Sequence, residues 1–378
     1  AQNVVFVSTG KQFDGIMNNS TLLNKGFTIK LVNDIDLHSV TLAQESNPSV
    51  NAVEGNTYVV DGQNHIADMS GQQYKFNTAQ TSNTKLYVQN FQTLYGTNYF
   101  GPFSLSNGGS IYYKNVNYVG SQILSAKGNY VYVDGNVNVF QRDDVYDSPF
   151  MKSQNAEGSG NQNNLSIANM VLNKGAHYFG SVGTYTGSNV VYISGGGNLT
   201  LGEDSSMTLI PRGNQVGGDD SADTGPMGVD IQKGSLTVNK NANLNIMPDY
   251  SNTYTSYGAG GGIYVGSNGQ VRVDGGRINI EANQSPKMNN QVNALLYVDS
   301  GSNVIATNGG TIQVKVAHMG DSRAPSAPTS GGGLVYLNSG TVQVANRGNL
   351  ISAISDGTGT GVPLVYGNLI VNNSGDSH

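Results

Sequence analysis

Short alternating triplets of apolar and polar residues recur along the second half of the chain, each followed by a glycine-containing turn. The central residues of the clearest triplets are Asp230, Tyr264, Tyr297, Tyr336 and Tyr366, at intervals of 34, 33, 39 and 30 residues. A second alternating segment follows most triplets, and a third often follows that. A supersecondary unit that recurs at such intervals is typical of a solenoid, a propeller or an array. Three short strands per unit predict an all-β protein, a parallel β-solenoid.

The alternation also predicts which side chains leave the core. Neighbouring residues of a strand point to opposite faces, so the apolar flanks of each triplet build the core and its central residue points outward. Adjacent parallel strands stack about 4.8 Å apart, which predicts an exposed tyrosine stripe interrupted at Asp230. Its expected tyrosines are Tyr132, Tyr192, Tyr264, Tyr297, Tyr336 and Tyr366. Two long segments, about 141–164 and 315–333, lack apolar periodicity and are predicted to be surface loops that make the stripe one wall of a groove.

Basic residues near this stripe complete the predicted ligand site. Exposed aromatic stripes are unusual enough to indicate an interaction surface. The alternative is structural, because outward tyrosines in strands also pack on their neighbours. Arginine and lysine would contact the carboxylates of an acidic sugar. The candidate ligand-binding residues are Tyr192, Arg212, Asp230, Lys233, Tyr264, Arg272, Tyr297 and Tyr336.

The first part of the chain departs from the triplet pattern. Residues 4–7 and 27–31 are predicted strands, and residues 11–23 carry apolar side chains at helical spacing. We expect that segment to form one short helix that caps the open end of the solenoid. The prediction is a single domain over residues 1–378, with the cap and first strands in 1–56, coils in 57–371 and a polar tail in 372–378.

Composition narrows the function classes. The chain has 51 glycines, 12% charged residues and no cysteine, which suits many tight turns and excludes disulfides, thiol catalysis and cysteine-based zinc sites. A net charge of −6 argues against a dedicated nucleic-acid binder. No apolar run is long enough to predict membrane insertion.

An enzyme is the main alternative to a binding protein, because parallel β-helices also carry polysaccharide lyases and hydrolases. A glycosidase needs two carboxylates across the scissile bond, and Asp219, Asp220 and Asp223 offer carboxylates in one loop. The same three aspartates are the candidates for calcium, although the loop matches neither an EF-hand nor the calcium-binding nonapeptide repeat. The five histidines show no metal-ligand spacing. We therefore predict no catalytic residue and no cofactor, with calcium and a pectin-active lyase or hydrolase as the alternatives.

The N-terminal third resembles the pectate-lyase-like adhesive domains of Gram-positive surface proteins. The strings that carry the resemblance lie at residues 7–9, 31–37, 59–65, 95–102 and 113–122. With the solenoid that follows, the chain resembles the ligand-binding region of lactobacillus serine-rich repeat adhesins. That resemblance implies a right-handed β-solenoid on the surface of a Gram-positive cell, held by a serine-rich stalk and a cell-wall anchor outside this chain. It also implies adhesion to pectin-type galacturonans or rhamnogalacturonans and to mucin glycans.

The predicted function is a non-catalytic, monomeric adhesin domain that binds polysaccharide in the tyrosine groove. Acidification towards pH 4 would neutralise part of the carboxylate charge, so we expect an anionic glycan to bind more strongly there than at pH 7. A self-associating surface module, active in biofilm formation, is the third hypothesis.

Overall fold

A computed structural model describes residues 3–38, 40–44, 47–141, 146–153, 163–182, 189–211, 227–249, 261–284, 294–318, 334–354, 364–371 and 376–378. The chain forms two compact units. The first comprises Ala1–Gly160 and Asn164–Val171, and the second comprises Asn161–Asn163 and Leu172–His378. The predicted single domain stays a prediction.

The first unit begins with a capped helical segment. Strand β1 (Asn3–Val7) leads into α1 (Gly10–Met17), and the Thr9 hydroxyl at its N-cap accepts a hydrogen bond from the Gln12 amide at 3.1 Å. The expected single helix over 11–23 is wrong, because the chain forms a second helix, α2 (Ser20–Lys25). Asn18 and Asn19 cause the break: Asn18 closes α1 by donating to the Asp14 carbonyl, and Asn19 caps α2 by accepting from the Leu22 amide.

Long parallel strands stack in register behind these helices. The strands after β1 are β2 (Phe27–Leu31), β3 (Ile35–Asp36), β4 (Ser49–Val50), β5 (Thr57–Asp68), β6 (Tyr74–Phe76), β7 (Lys85–Gly96), β8 (Phe103–Leu105), β9 (Ser110–Gly120), β10 (Leu124–Gln141), β11 (Tyr146–Asp147), β12 (Lys152–Ser153) and β13 (Leu165–Leu172). β1, β2, β5, β7, β9 and β10 pair successively, and β4, β6 and β8 form a separate parallel sheet.

Asparagines bend the long strands from one face of a coil to the next. Asn64, Asn90 and Asn115 have φ values of 63°, 58° and 51°, in the left-handed region that asparagine tolerates better than most residues. Aromatic side chains fill the interior of the unit. The ring centroids of Phe13 in α1 and Tyr74 in β6 lie 5.5 Å apart, edge to face, so α1 packs its apolar side on the aromatic core.

The second unit shows the predicted coil of three strands. Its strands are β14 (His177–Ser181), β15 (Val191–Leu201), β16 (Ser206–Ile210), β17 (Val229–Ile231), β18 (Ser235–Val238), β19 (Asn243–Ile246), β20 (Ile263–Val265), β21 (Gln270–Asp274), β22 (Arg277–Gln284), β23 (Leu296–Val298), β24 (Asn303–Thr307), β25 (Thr311–His318), β26 (Val335–Leu337), β27 (Thr341–Val344), β28 (Asn349–Ile354), β29 (Val365–Tyr366) and β30 (Leu369–Val371).

Each of these strands pairs in parallel with its counterpart one coil away. β15, β17, β20, β23, β26 and β29 form the first ladder, β15, β18, β21, β24, β27 and β30 the second, and β14, β16, β19, β22, β25 and β28 the third. The apolar flanks of the triplets, such as Ile263 and Val265, are fully buried. The all-β solenoid predicted from the triplets is confirmed.

Candidate functional site: the tyrosine ladder

The central residues of the triplets meet in the register that their spacing predicted. Tyr192 pairs with Asp230, Asp230 with Tyr264, and the pairing continues through Tyr297, Tyr336 and Tyr366. We call the four consecutive tyrosines, Tyr264, Tyr297, Tyr336 and Tyr366, the tyrosine ladder. Their ring centroids lie 5.2, 5.3 and 5.0 Å apart, and successive ring planes differ by 15°, 14° and 8°.

Stacking covers the faces of the inner rings of the ladder, although the sequence pattern predicted that these rings are exposed. Tyr297 is 5% exposed, because the rings of Tyr264 and Tyr336 cover both of its faces. Tyr366 has one stacking partner among the described residues and is 49% exposed. The predicted exposure is therefore wrong for Tyr297, and the inner rings of the ladder have no free face on which a sugar could stack.

Asp230 is also buried rather than exposed. Its carboxylate is 0% exposed and accepts hydrogen bonds from Asn189 Nδ2 at 3.2 Å and from Gln232 Nε2 at 2.7 Å. These amide donors replace the water that an exposed carboxylate would bind. The prediction that Asp230 points into solvent is therefore wrong.

A polar row that the sequence analysis missed runs beside the ladder. Tyr264 donates its hydroxyl hydrogen to Asp299 Oδ2 at 3.0 Å, and Asn338 Nδ2 donates to Asp299 Oδ1 at 3.1 Å and to the Tyr297 hydroxyl at 2.9 Å. Asp299 and Asn338 each lie two positions after a ladder tyrosine, which puts them on the same side of the strand. That spacing was the signal in the sequence.

Burial and the Asp299 carboxylate of this row raise the pKa values of two ladder hydroxyls. Burial, then the charge and hydrogen bond of Asp299, raise the pKa of the Tyr264 hydroxyl well above its usual 10. Burial and the charge of Asp299 raise the pKa of Tyr297 to about 12. Both hydroxyls thus remain protonated at neutral pH, as hydrogen-bond donors and acceptors.

Arg272 and Lys233, the two basic candidates among the described residues, form no hydrogen bond or ion pair with this row. Arg272 is on β21, in the second ladder of strands, and its Nε lies 3.5 Å from Asp274 Oδ2. Lys233 is exposed in the turn after β17, with φ at 60°.

Tyr132 lies in the first unit, where it stacks on Tyr112 at 4.8 Å. Arg212, Asp219, Asp220 and Asp223 lie outside the described residues, as does most of the two expected loops, so the groove has no described wall.

One cluster of possible metal ligands occurs among the described residues, in the first unit. Asp36, His38 and Asp68 bring one ligand atom each within 4.8 Å of one another, which the linear spacing of the histidines did not reveal. His38 Nε2 lies 2.8 Å from Asp68 Oδ1, and the Ser148 hydroxyl bonds to Asp68 Oδ2. Burial lowers the pKa of His38, but the hydrogen bond and charge of Asp68, with the charge of Asp36, outweigh it and raise that pKa above 6.5.

The arrangement of Ser148, Asp68 and His38 favours a structural role over nucleophilic catalysis. A catalytic triad needs the serine hydroxyl on the imidazole, which then removes its proton. Here the Ser148 hydroxyl bonds to the carboxylate instead, and the Ser70 amide donates to the same carboxylate at 2.9 Å. Internal donors thus hold the buried Asp68 charge.

Comparison with known proteins agrees with this architecture. Residues 4–125 match the family described as the pectate lyase-like adhesive domain. No curated protein matches the sequence. None of the helices in the described residues is long and apolar enough to cross a membrane.

Two solved structures share the fold over nearly the whole chain. The SRRP, a serine-rich repeat protein, of L. reuteri 100-23 aligns with a TM-score of 0.59 at 11% identity, covering 100% of this chain and 99% of its own. The SRRP of L. reuteri 53608 aligns with a TM-score of 0.52 at 14% identity, covering 97% and 99%. The chain is thus a β-solenoid with the fold of serine-rich repeat protein domains, and its N-terminal third matches the pectate lyase-like adhesive domain family.

Proposed function

We propose that the chain is a non-catalytic adhesin domain that binds polysaccharide along the tyrosine ladder, on the surface of a Gram-positive cell. The observation that carries the proposal is the ladder with its polar row: tyrosine hydroxyls, the Asp299 carboxylate and the Asn338 amide repeat along one side of stacked coils. A repeating polymer needs a repeating row of hydrogen-bonding groups. The adhesive family match and the shared SRRP fold support the proposal.

The stacked rings decide how such a ligand would be held. Because the inner ring faces are covered, a sugar would contact the hydroxyl edges of the ladder, and it would stack only on the open face of Tyr366. Each neutral hydrogen bond of this kind contributes about 0.5–1.5 kcal/mol. Many weak contacts along the ladder would then add up through multivalency.

Pectin-type galacturonan and mucin glycans are the proposed ligands, and Arg212, Lys233 and Arg272 are the proposed contacts for their carboxylates. Binding that strengthens near pH 4 belongs to the same proposal, because Asp230 and Asp299 put negative charge beside the ladder. A titration of galacturonan binding at pH 4 and pH 7 and constant salt tests it. Equal affinity at the two pH values would contradict the electrostatic part.

Removal of one hydroxyl tests the ladder. Tyr336→Phe keeps the stack and deletes one hydrogen-bonding edge, so we expect a polysaccharide found on a glycan array to bind about three- to tenfold more weakly. Tyr130→Phe is the matched control, because Tyr130 is exposed in the first unit, outside the ladder. Equal losses in both variants, or none in Tyr336→Phe, would remove the ladder from the binding site.

Catalysis is tested on the same preparation. A lyase or hydrolase acting on polygalacturonate with calcium would release unsaturated product or new reducing ends. We expect neither. Product that disappears in Asp220→Ala would replace the adhesin proposal with the enzyme.

Exposed apolar side chains on the last coil favour a second function, self-association. Leu364, Leu369, Ile370 and Val371 are each 40–47% exposed, and exposed apolar side chains favour contact with another molecule. Sedimentation over a range of concentrations tests it, with Ile370→Lys as the variant. A monomer at every concentration would confirm the predicted monomeric domain.

A further inference from the structure

A second candidate site lies in the first unit, on the outer side of the small sheet β4–β6–β8. Its cavity is lined by Gln73, Lys75, Phe100, Ser104, Ser106 and Ser125, and we call it the Ser104 pocket. All six residues fall within the segment that matches the adhesive domain family. The ladder residues of the proposed function all lie in the second unit, so the two sites can be tested separately.

A rigid turn presents an aromatic side chain at the rim of this pocket. Phe100 is 49% exposed, yet its main chain is fixed: Gln73 Nε2 donates to the Phe100 carbonyl at 3.1 Å. Gln122 Nε2 donates to the carbonyl of the preceding Tyr99 at 2.8 Å. Gly101 completes the turn with φ at 87°, and a Cβ there would come within 1.9 Å of a main-chain oxygen. The two buried glutamines fix the main chain of the turn, so the Phe100 ring is presented to solvent from a rigid support, as a preorganised contact for a ligand requires.

The floor of the pocket holds a buried hydroxyl without a partner. Ser104 is 3% exposed, and its Oγ makes no hydrogen bond with any described residue. Buried polar groups are nearly always hydrogen-bonded, and this hydroxyl has its bonding capacity left for a molecule that enters the cavity. Rotation about the Cα–Cβ bond, between staggered positions, is enough to turn it toward a molecule in the cavity.

A cation stands beside this serine. Lys75 and Ser104 are register partners on β6 and β8, so their side chains leave the same face of the sheet. Lys75 is exposed, and no ion pair with an acidic residue is formed among the described residues. The pocket thus combines an apolar ring, the hydroxyls of Ser104 and Ser125, and an ammonium group that forms no ion pair with the described residues, whereas the Ser106 hydroxyl is bonded to Thr78.

We propose that the Ser104 pocket binds one carboxylate-bearing sugar residue. The C–H face of the sugar ring packs on Phe100, its hydroxyls bond to Ser104 and Ser125, and its carboxylate pairs with Lys75. A charge-assisted hydrogen bond to an ammonium group is about twice as strong as a neutral one, so the carboxylate sets the specificity.

Two sugars that differ in one group test the proposal on the full chain. Galacturonic acid and galactose share a ring and differ at C6, where the acid carries a carboxylate. By titration with saturation-transfer difference NMR, we expect galacturonate to bind about tenfold more tightly than galactose. Lys75→Met abolishes the difference, whereas Lys85→Met, which removes the same charge from exposed Lys85 on β7, preserves it.

Ser104→Ala separates binding from folding. We expect this variant to bind both sugars about fivefold more weakly while its thermal midpoint stays the same or rises, because it deletes a hydroxyl that has no partner in the ligand-free protein. A lowered midpoint would show that the hydroxyl has a structural partner, and it would overturn the proposal.

The remaining outcomes distinguish the two sites. Galacturonate binding that survives Lys75→Met but is lost in Tyr336→Phe would place the sugar on the ladder and eliminate the pocket. Sensitivity to Lys75→Met with polysaccharide binding unaffected by Tyr336→Phe would retain the pocket and eliminate the ladder. Absence of galacturonate binding at millimolar concentration would also overturn the pocket.

Discussion

Each of the two units stacks tyrosines in register, but the hydroxyl groups of the two stacks have different partners. In the first unit, Tyr87, Tyr112 and Tyr132 stack at 4.2 and 4.8 Å, and burial followed by the neighbouring Tyr112 raises the pKa of Tyr87. In the second unit, the Tyr264 hydroxyl bonds to the Asp299 carboxylate. Parallel register thus brings tyrosines into a stack in both units, whereas the groups that contact their hydroxyls differ: a neighbouring tyrosine in the first unit and the Asp299 carboxylate in the second.

Truncation of a tyrosine ring to alanine should give the largest difference in stability loss between the two stacks. Tyr297→Ala removes a buried ring with a partner on each face, so we expect it to lower the free energy of unfolding of the second unit by about 3 kcal/mol. Tyr112→Ala removes a half-buried ring, with an expected loss of about 1.5 kcal/mol from the first unit. Urea unfolding followed by hydrogen exchange measures both, and equal losses would mean that burial does not distinguish the stacks.

Tyr297→Phe divides that effect into packing and hydrogen bonding. It keeps the ring and loses the bond from Asn338, so the expected loss is about 1 kcal/mol. A loss as large as that of Tyr297→Ala would show that the polar row, and not the stack, stabilises the ladder.

Alkaline pH should destabilise the second unit through the same tyrosine. The pKa of Tyr297 is about 12 in the folded chain and about 10 when unfolded, so the folded state retains protons that the unfolded state releases. This contribution is complete below pH 10 and is lost as the pH rises from 10 towards 12. Thermal unfolding at pH 9, 10 and 11 checks the sign, and Tyr297→Phe should reduce the dependence without abolishing it, because burial and Asp299 also raise the pKa of Tyr264.

Asp299→Asn should lower the pKa of its tyrosine partner. The negative charge and hydrogen bond of Asp299 both favour the protonated Tyr264 hydroxyl, and their removal leaves burial as the main cause of the shift. Tyrosinate absorbance during alkaline titration measures the change, with the first-unit stack as the internal reference. A pKa that does not fall would exclude Asp299 as the partner in solution.

The smallest expected effect concerns Arg272. Its ion pair with Asp274 is half exposed, and such pairs contribute about 0–1 kcal/mol. Because Arg272 is a proposed contact for the ligand carboxylates, we expect Arg272→Ala to bind the glycan about threefold more weakly while the stability barely changes. Unchanged glycan affinity would remove Arg272 from the proposed ligand site.

The triplets were sufficient to predict the coil of three strands, because in-register stacking forces apolar residues to recur wherever a strand re-enters the core. They also predicted the pairing from Tyr192 to Tyr366, residue by residue. They could not predict that Tyr297 is buried, since that depends on how two neighbouring rings are turned. Nor could they predict the burial of Asp230, whose donor Asn189 lies 41 residues away along the chain.

Local signals in the first unit were partly overlooked. Two adjacent asparagines, each a good cap, mark the break between α1 and α2, yet apolar spacing alone suggested one helix. The Ser104 pocket gave no sequence signal, because Lys75 and Ser104 become neighbours only through strand pairing across 29 residues.

The parallel ladders of the second unit also have a mechanical consequence. Hydrogen bonds between coils run along the direction in which the coils stack. A pull along that direction stretches these bonds, and the coil at the end can separate before the next one is affected. A force along the strands instead shears all the hydrogen bonds of a ladder at the same time. We therefore expect this unit to open coil by coil when it is pulled along the stacking axis and to resist a stronger pull along the strands. The points at which a tether is attached would then determine the force that the unit withstands.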